Sequence, residues 1–186
     1  MLLDEPFSSL DAALRESTRR AVAEALTAAE ATAVLVTHDQ AEALSMADQV
    51  AVMRSGRLVQ LDAPATVYRS PADPQVAGFV GEAVLLDAEV RAGVATCALG
   101  AVPVRSAQPD GPARVLLRPE QLVLGAGGVR ALVRDVAYFG HDAAVRLELL
   151  TGDTVVLARV AGHDLPVPGS TVQLTVTGDA VAYPAG

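Results

Sequence analysis

The chain has 186 residues, room for one ordinary domain or two small ones, and 51% are hydrophobic but only 3% aromatic, so any core is built from Ala, Val and Leu. Fourteen basic against 22 acidic residues give a net charge of −8, which argues against nucleic acid and anionic membrane surfaces as partners. The single cysteine, Cys97, excludes an internal disulfide framework and reads as a small buried hydrophobe in a reducing compartment, and no segment reads as a signal peptide or nears the roughly 20 apolar residues that span a bilayer.

"MLL" is an apolar strand stub ending at Asp4. Residues 11–30 predict a helix with Leu14, Val22, Ala25, Leu26 and Ala29 near one face and Asp11 as its N-cap. Residues 32–36 predict a short buried strand. A second helix follows, where Asp39 and Glu42 fit a capping-box spacing. Residues 49–60 predict a hairpin turning at Ser55-Gly56, and 63–69 and 73–80 two short helices separated by Pro71 and Pro74. This alternation of strand and helix argues an α/β class. After Gly81 strand signals recur over 83–91, 113–118, 129–138, 143–150, 153–160 and 171–177. They predict a small all-β barrel or sandwich, with a boundary near residue 81 that divides the chain into 1–81 and 82–186.

Asp4 and Glu5 follow the first strand directly. A carboxylate pair there can hold Mg²⁺ with its first member and polarise an attacking water with its second, although an acidic strand end is by itself ordinary. Pro6 cannot donate to a sheet and helps the chain leave the strand. "SSLD" (8–11) comes next, and His38 stands at the end of the strand "AVLV". In open α/β sheets ligands bind outside the carboxyl ends of strands, where Asp4, Glu5 and His38 all fall. "GHD" occurs twice, at 140–142 and 162–164. It admits a metal-ligand reading or a plain turn reading, and the turn is the ordinary one. Arg15, Arg19 and Arg20 read as a solvated helix face, since Glu16, Glu24 and Glu30 share that helix.

The stretch "LLDEPFSSLD…VLVTHDQAEALSMADQVAVMRSGRLVQLDAPATVYRSPADPQVAGFVG" resembles the C-terminal part of an ATP-binding cassette (ABC) importer ATPase of the ferric-iron, polyamine, sulfate or sugar type. "LLDEP" resembles the Walker B segment, "SSLD" the D-loop and "VTHD" the switch-histidine loop. The remainder resembles, more loosely, the TOBE-type regulatory domain that follows the ATPase domain in that group, through "VLLRPEQLVL" and "VRDVAYFGHDAAVRLELLTGDTVVLARV". The resemblance implies an α/β remnant of a P-loop ABC ATPase domain followed by a small, barrel-like all-β TOBE domain. It implies Asp4 as the Mg²⁺ residue, Glu5 as general base, His38 as the γ-phosphate contact, and Ser9 and Asp11 at a dimer interface. It further implies ATP and Mg²⁺ as cofactors, a homodimer beneath two membrane-spanning permease subunits at the cytoplasmic face of the membrane, and a substrate-binding protein acting indirectly. Ferric iron is the first cargo expectation and polyamine the next.

The chain departs from the family pattern in one respect. A phosphate cradle needs Gly-x-x-x-x-Gly-Lys-Ser/Thr, and these 186 residues contain neither that pattern nor any Lys. The Gln-bearing loop and the Ser-Gly-Gly-Gln signature are also missing. All three precede "LLDEP" in the family, so the chain is expected to begin inside the ATPase domain, as a fragment or a truncated gene model, and to be inactive alone. Two rivals stand beside this reading. One is a non-enzymatic regulatory module whose β part binds a small ligand. The other is a soluble ABC ATPase of DNA repair or translation, against which the β-rich tail and the acidic charge both argue.

Overall fold

A computed structural model describes residues 1–105 and 109–185. The chain divides into two compact units: residues 1–72 with 79–81, and residues 73–78 with 82–186.

The first unit alternates strand and helix. Strand β1 (Leu2–Asp4) runs parallel to β2 (Val34–Val36), with Leu2, Leu3 and Asp4 opposite Val34, Leu35 and Val36. Helix α1 (Ala12–Ala28) connects them, and the Asp11 carboxylate accepts from the Leu14 N–H at 2.9 Å, as its N-cap position predicts. Its apolar stripe is incompletely covered. Val22 and Leu26 are half-buried, whereas Leu14, Ala25 and Ala29 are exposed. The strand pair is also open, with Leu2 72% and Val34 58% exposed.

Helix α2 (Gln40–Met46) starts at Asp39, whose carboxylate accepts from the N–H groups of Ala41 and Glu42. The reciprocal half of the expected capping box is replaced. Thr37 Oγ1 accepts from the Asp39 N–H and donates to the buried Glu42 carboxylate at 2.6 Å, so a hydroxyl stands where the glutamate would have closed the box. Strands β3 (Val50–Arg54) and β4 (Arg57–Asp62) form the expected hairpin. Ser55 (φ +50°) and Gly56 (φ +74°) both take left-handed backbone, the condition for a two-residue turn that matches strand twist. Helix α3 (Pro64–Arg69) follows, and the next helix, α4 (Pro74–Phe79), begins with Val76 N–H bonded to the Asp73 carboxylate.

Apart from residues 73–78, the 3₁₀ turn Pro119–Gln121 and a parallel bridge between Val104 and Ala180, the described strands of the second unit pair antiparallel. One five-stranded sheet runs in the order β14 (Val181–Pro184), β8 (Gly111–Leu117), β5 (Val84–Arg91), β6 (Val94–Cys97), β7 (Gly100–Pro103). The other runs β12 (Val155–Ala161), β11 (Asp142–Leu149), β10 (Val129–Tyr138), β13 (Thr171–Val176), β9 (Leu122–Gly125). Alternate residues of both sheets point into one core: Val84, Leu86 and Val90 from β5, Ala113, Val115 and Leu117 from β8, Val145, Leu147 and Leu149 from β11. That core is aliphatic, as the composition requires, and Cys97 packs against it half-buried, where burial pushes its thiol up.

The two "GHD" segments meet at one end of this unit. The Gly162 N–H donates to the His141 carbonyl at 3.0 Å. A Cβ on Gly162 would lie 2.2 Å from the Gly140 oxygen, so the glycine is required for the two turns to stack. Among the described residues no group of three or more His, Cys, Asp or Glu is placed to hold a metal ion. Gly162→Ala is expected to destabilise the unit by about 1–3 kcal/mol, because the obstruction is backbone and cannot rotate away. An unchanged melting temperature would contradict the packing described.

Candidate functional site

Three acidic or imidazole groups collect at the carboxyl ends of β1 and β2. The parallel register puts Asp4 opposite Val36, and the Glu5 N–H donates to the Val36 carbonyl at 2.8 Å. Glu5 then turns with φ +46°, a left-handed conformation that costs a non-glycine residue about 1–3 kcal/mol unless the surroundings hold it. Here they do. Its carbonyl accepts from the Ser8 N–H at 3.3 Å and from the Ser8 hydroxyl at 3.0 Å, so both backbone groups of Glu5 are engaged.

Glu5 Oε1 lies 2.6 Å from His38 Nδ1, across 33 residues of sequence. Asp4 is exposed at the strand end beside this pair. Ser9 is exposed on the turn after Pro6, and Asp11 is committed to capping α1. Of the five residues singled out from the sequence, Glu5 and His38 touch, Asp4 adjoins Glu5, and Ser9 and Asp11 lie on the turn and helix cap that follow.

Several residues support the site in roles the sequence does not show, although Glu42 is read there as half of a capping box and Arg15 as part of a solvated helix face. Ser8 fixes Glu5 through a local backbone turn that only geometry reveals. Arg15 lies 3.7 Å from the Asp39 carboxylate and donates to the Leu10 carbonyl at 2.9 Å, tying the start of α1 to the cap of α2. Thr37 and Glu42 brace the loop that carries His38.

The Glu5 carboxylate holds the His38 imidazole above its usual range, first through the hydrogen bond and then through charge, with Asp39 and Glu42 adding in the same direction. The imidazolium is thus favoured in the folded chain. Its contribution to stability is complete below the ordinary imidazole value and fades as pH rises through the raised one. The pair is exposed to solvent, so salt weakens it. In an NMR titration, His38 is expected to titrate above an ordinary imidazole and to fall back in Glu5→Gln. Identical titration in both proteins would show that the carboxylate does not set it.

Residues 115–183 match the TOBE domain. The "Fe(3+) ions import ATP-binding protein FbpC 1" of Rhodococcus jostii (strain RHA1) is 50% identical over 191 residues, covering 100% of this chain and 55% of that protein. The "Fe(3+) ions import ATP-binding protein FbpC" of Pseudomonas fluorescens is 50% identical over 190 residues, covering 97% and 53%. The chain is a homologue of ferric-iron import ATP-binding proteins. It spans about half the length of these curated relatives, consistent with the C-terminal region of an ABC importer ATPase. A molybdate-bound structure of the cytoplasmic molybdate-binding protein ModG aligns with 53% of this chain and 94% of its own at 13% identity and a TM-score of 0.45. No helix among the described residues is long and apolar enough to cross a membrane.

Proposed function

We propose that the chain forms the catalytic-edge and regulatory portion of an ABC-type ATPase that drives ferric-iron import. The observation that carries this reading is the 2.6 Å contact between Glu5 and His38 beyond the ends of two paired parallel strands. In this reading residues 1–81 are the remnant of a P-loop ATPase domain and 82–186 its regulatory TOBE domain. The relatives' iron-import names support ferric iron as cargo. Permease subunits, a second copy of the ATPase across the Ser9–Asp11 turn, a delivering binding protein and a station at the cytoplasmic membrane face complete the assembly.

The donor set at the strand end fits magnesium nucleotide in part. Asp4 offers an exposed, hard carboxylate, and Mg²⁺ takes one or two such ligands while leaving other positions to phosphate oxygens and water. When bound, Mg-ATP supplies the transferable phosphoryl group. Glu5 would accept the proton of the attacking water, and His38, engaged through Nδ1, would have its other ring nitrogen left for a phosphate oxygen. The 186 residues hold no phosphate cradle, so these groups await a substrate that other sequence must position.

The test joins this chain to the part of the Rhodococcus jostii relative that it does not match. Phosphate release with Mg-ATP is expected to be negligible for the 186-residue chain and restored in the joined protein, which should also rescue ferric-iron uptake in cells lacking their own importer ATPase. Turnover by the chain alone, lost on Glu5→Gln, would overturn this division of labour.

A further inference from the structure

The His38 side chain is 77% exposed, so packing does little to fix its ring. Its place beside Glu5 depends on the backbone that carries it. That backbone is anchored on both sides. The Val36 carbonyl accepts from the Glu5 N–H at 2.8 Å, which ties the end of β2 to the residue that His38 meets. The Thr37 hydroxyl accepts from the Asp39 N–H at 3.0 Å, a bond that spans His38 itself. The Asp39 carboxylate in turn accepts from the N–H groups of Ala41 and Glu42 at the start of α2.

The same Thr37 hydroxyl donates to the Glu42 carboxylate at 2.6 Å. Glu42 is 3% exposed, the one buried acidic or basic side chain among the described residues of the first unit. A carboxylate taken out of water is costly unless it is hydrogen-bonded, and a bond to a charged acceptor is roughly twice as strong as a neutral one. A hydroxyl has a single proton. Giving it to Glu42 leaves the oxygen lone pairs for the Asp39 N–H, so the buried carboxylate orients the hydroxyl. An apolar isostere of threonine could make neither bond.

We propose that Thr37 and Glu42 are positioning residues that act through His38. The buried carboxylate orients the Thr37 hydroxyl, the hydroxyl fixes the backbone around His38, and Nδ1 is thereby held 2.6 Å from Glu5. The effect on turnover rests on the ATPase reading above, whereas the effect on the ring does not. A bond that served only to start α2 would lower stability on removal and leave His38 where it is.

NMR of the 186-residue chain at one fixed pH separates these cases. The carboxylates that act on the His38 ring belong to Glu5, Asp39 and Glu42, and Thr37→Val removes none of them. Its His38 ring resonances are expected to move toward those of Glu5→Gln, with the amide resonances of α1 reporting that the first unit stays folded. Thr37→Ser should keep the parent's resonances. In the joined protein Thr37→Val is expected to lower kcat by about 10–100-fold with KM for Mg-ATP within a few fold, and Thr37→Ser to regain most of the loss. Thr37→Ala removes the same two bonds and takes its place if Thr37→Val does not fold. Parental His38 resonances in a folded Thr37→Val or Thr37→Ala chain would overturn the proposal. So would a Thr37→Ser protein as impaired as Thr37→Val, or a loss confined to KM. A joined protein without turnover would count against the ATPase reading instead, and the ring resonances would still decide the positioning.

Discussion

Beginning the β unit at residue 82 rather than residue 73 is expected to cost it about 3 kcal/mol, and the reason is Arg118. This residue is 4% exposed, and one guanidinium nitrogen donates to the Ala77 carbonyl at 3.0 Å and to the Glu82 carbonyl at 2.8 Å. Ala77 is fully buried and packs with Leu116, Val181 and Tyr183. Burial on this side pushes the Tyr183 phenol up to about 12. Deleting residues 73–81 removes the Ala77 acceptor and uncovers the apolar cluster. A hydrogen bond to a charged group is worth about 1.5–3 kcal/mol, and uncovering a few apolar side chains adds about 1 kcal/mol, offset in part as water reaches the guanidinium. Residues 73–186 should therefore melt cooperatively about 12–18 °C above residues 82–186, since 1 kcal/mol moves a domain of this size by roughly 4–6 °C. Arg118→Met in the longer form should lose about 1–3 kcal/mol by leaving two carbonyls unpaired. Equal melting of the two lengths would show that residues 73–81 are dispensable to the β unit.

That tie was not legible in the sequence, because Arg118 and Ala77 are 41 residues apart and the motif around Arg118 says nothing of the carbonyls it reaches. Long periodic strands were legible. Residues 129–138 read as a strand, and β10 covers Val129–Tyr138. Four short strands escaped: β6, β7, β9 and β14 have four residues each, too few for a two-residue alternation to stand out. β6 and β7 also lie in an Ala- and Gly-rich stretch of low strand preference. Around the strand ends, Asp4, Glu5, Asp11 and His38 were readable because their residue types and spacing carry chemistry or capping. Ser8, Thr37 and Arg15 were not, because they act by bonding to backbone or to a neighbour's carboxylate, contacts that many sequences could make.

Glu5→Gln in the joined protein is expected to lower kcat by about 10²–10⁴-fold, the range assigned to a positioned general base. The substitution keeps the size and planarity of the side chain, and the amide can still hydrogen-bond His38 Nδ1. It leaves the Ser8 bonds that hold Glu5 at φ +46° intact, because both are made to its backbone carbonyl. What it removes is the ability to accept a proton. In the proposed reading nucleotide affinity should therefore stay within a few fold, since Asp4 and the residues of the joined segment are untouched. His38→Gln is expected to act differently. It frees the Glu5 carboxylate from its partner at 2.6 Å and also removes the group that the proposed function assigns to phosphate, so both kcat and the pH profile should change. If Glu5 and His38 work as one unit, the double variant should lose little more than Glu5→Gln alone, because a carboxylate that is gone cannot be misplaced. Additive losses would mean that the two residues act separately, and a Glu5→Gln protein turning over within a few fold of the parent would remove Glu5 from the role of base.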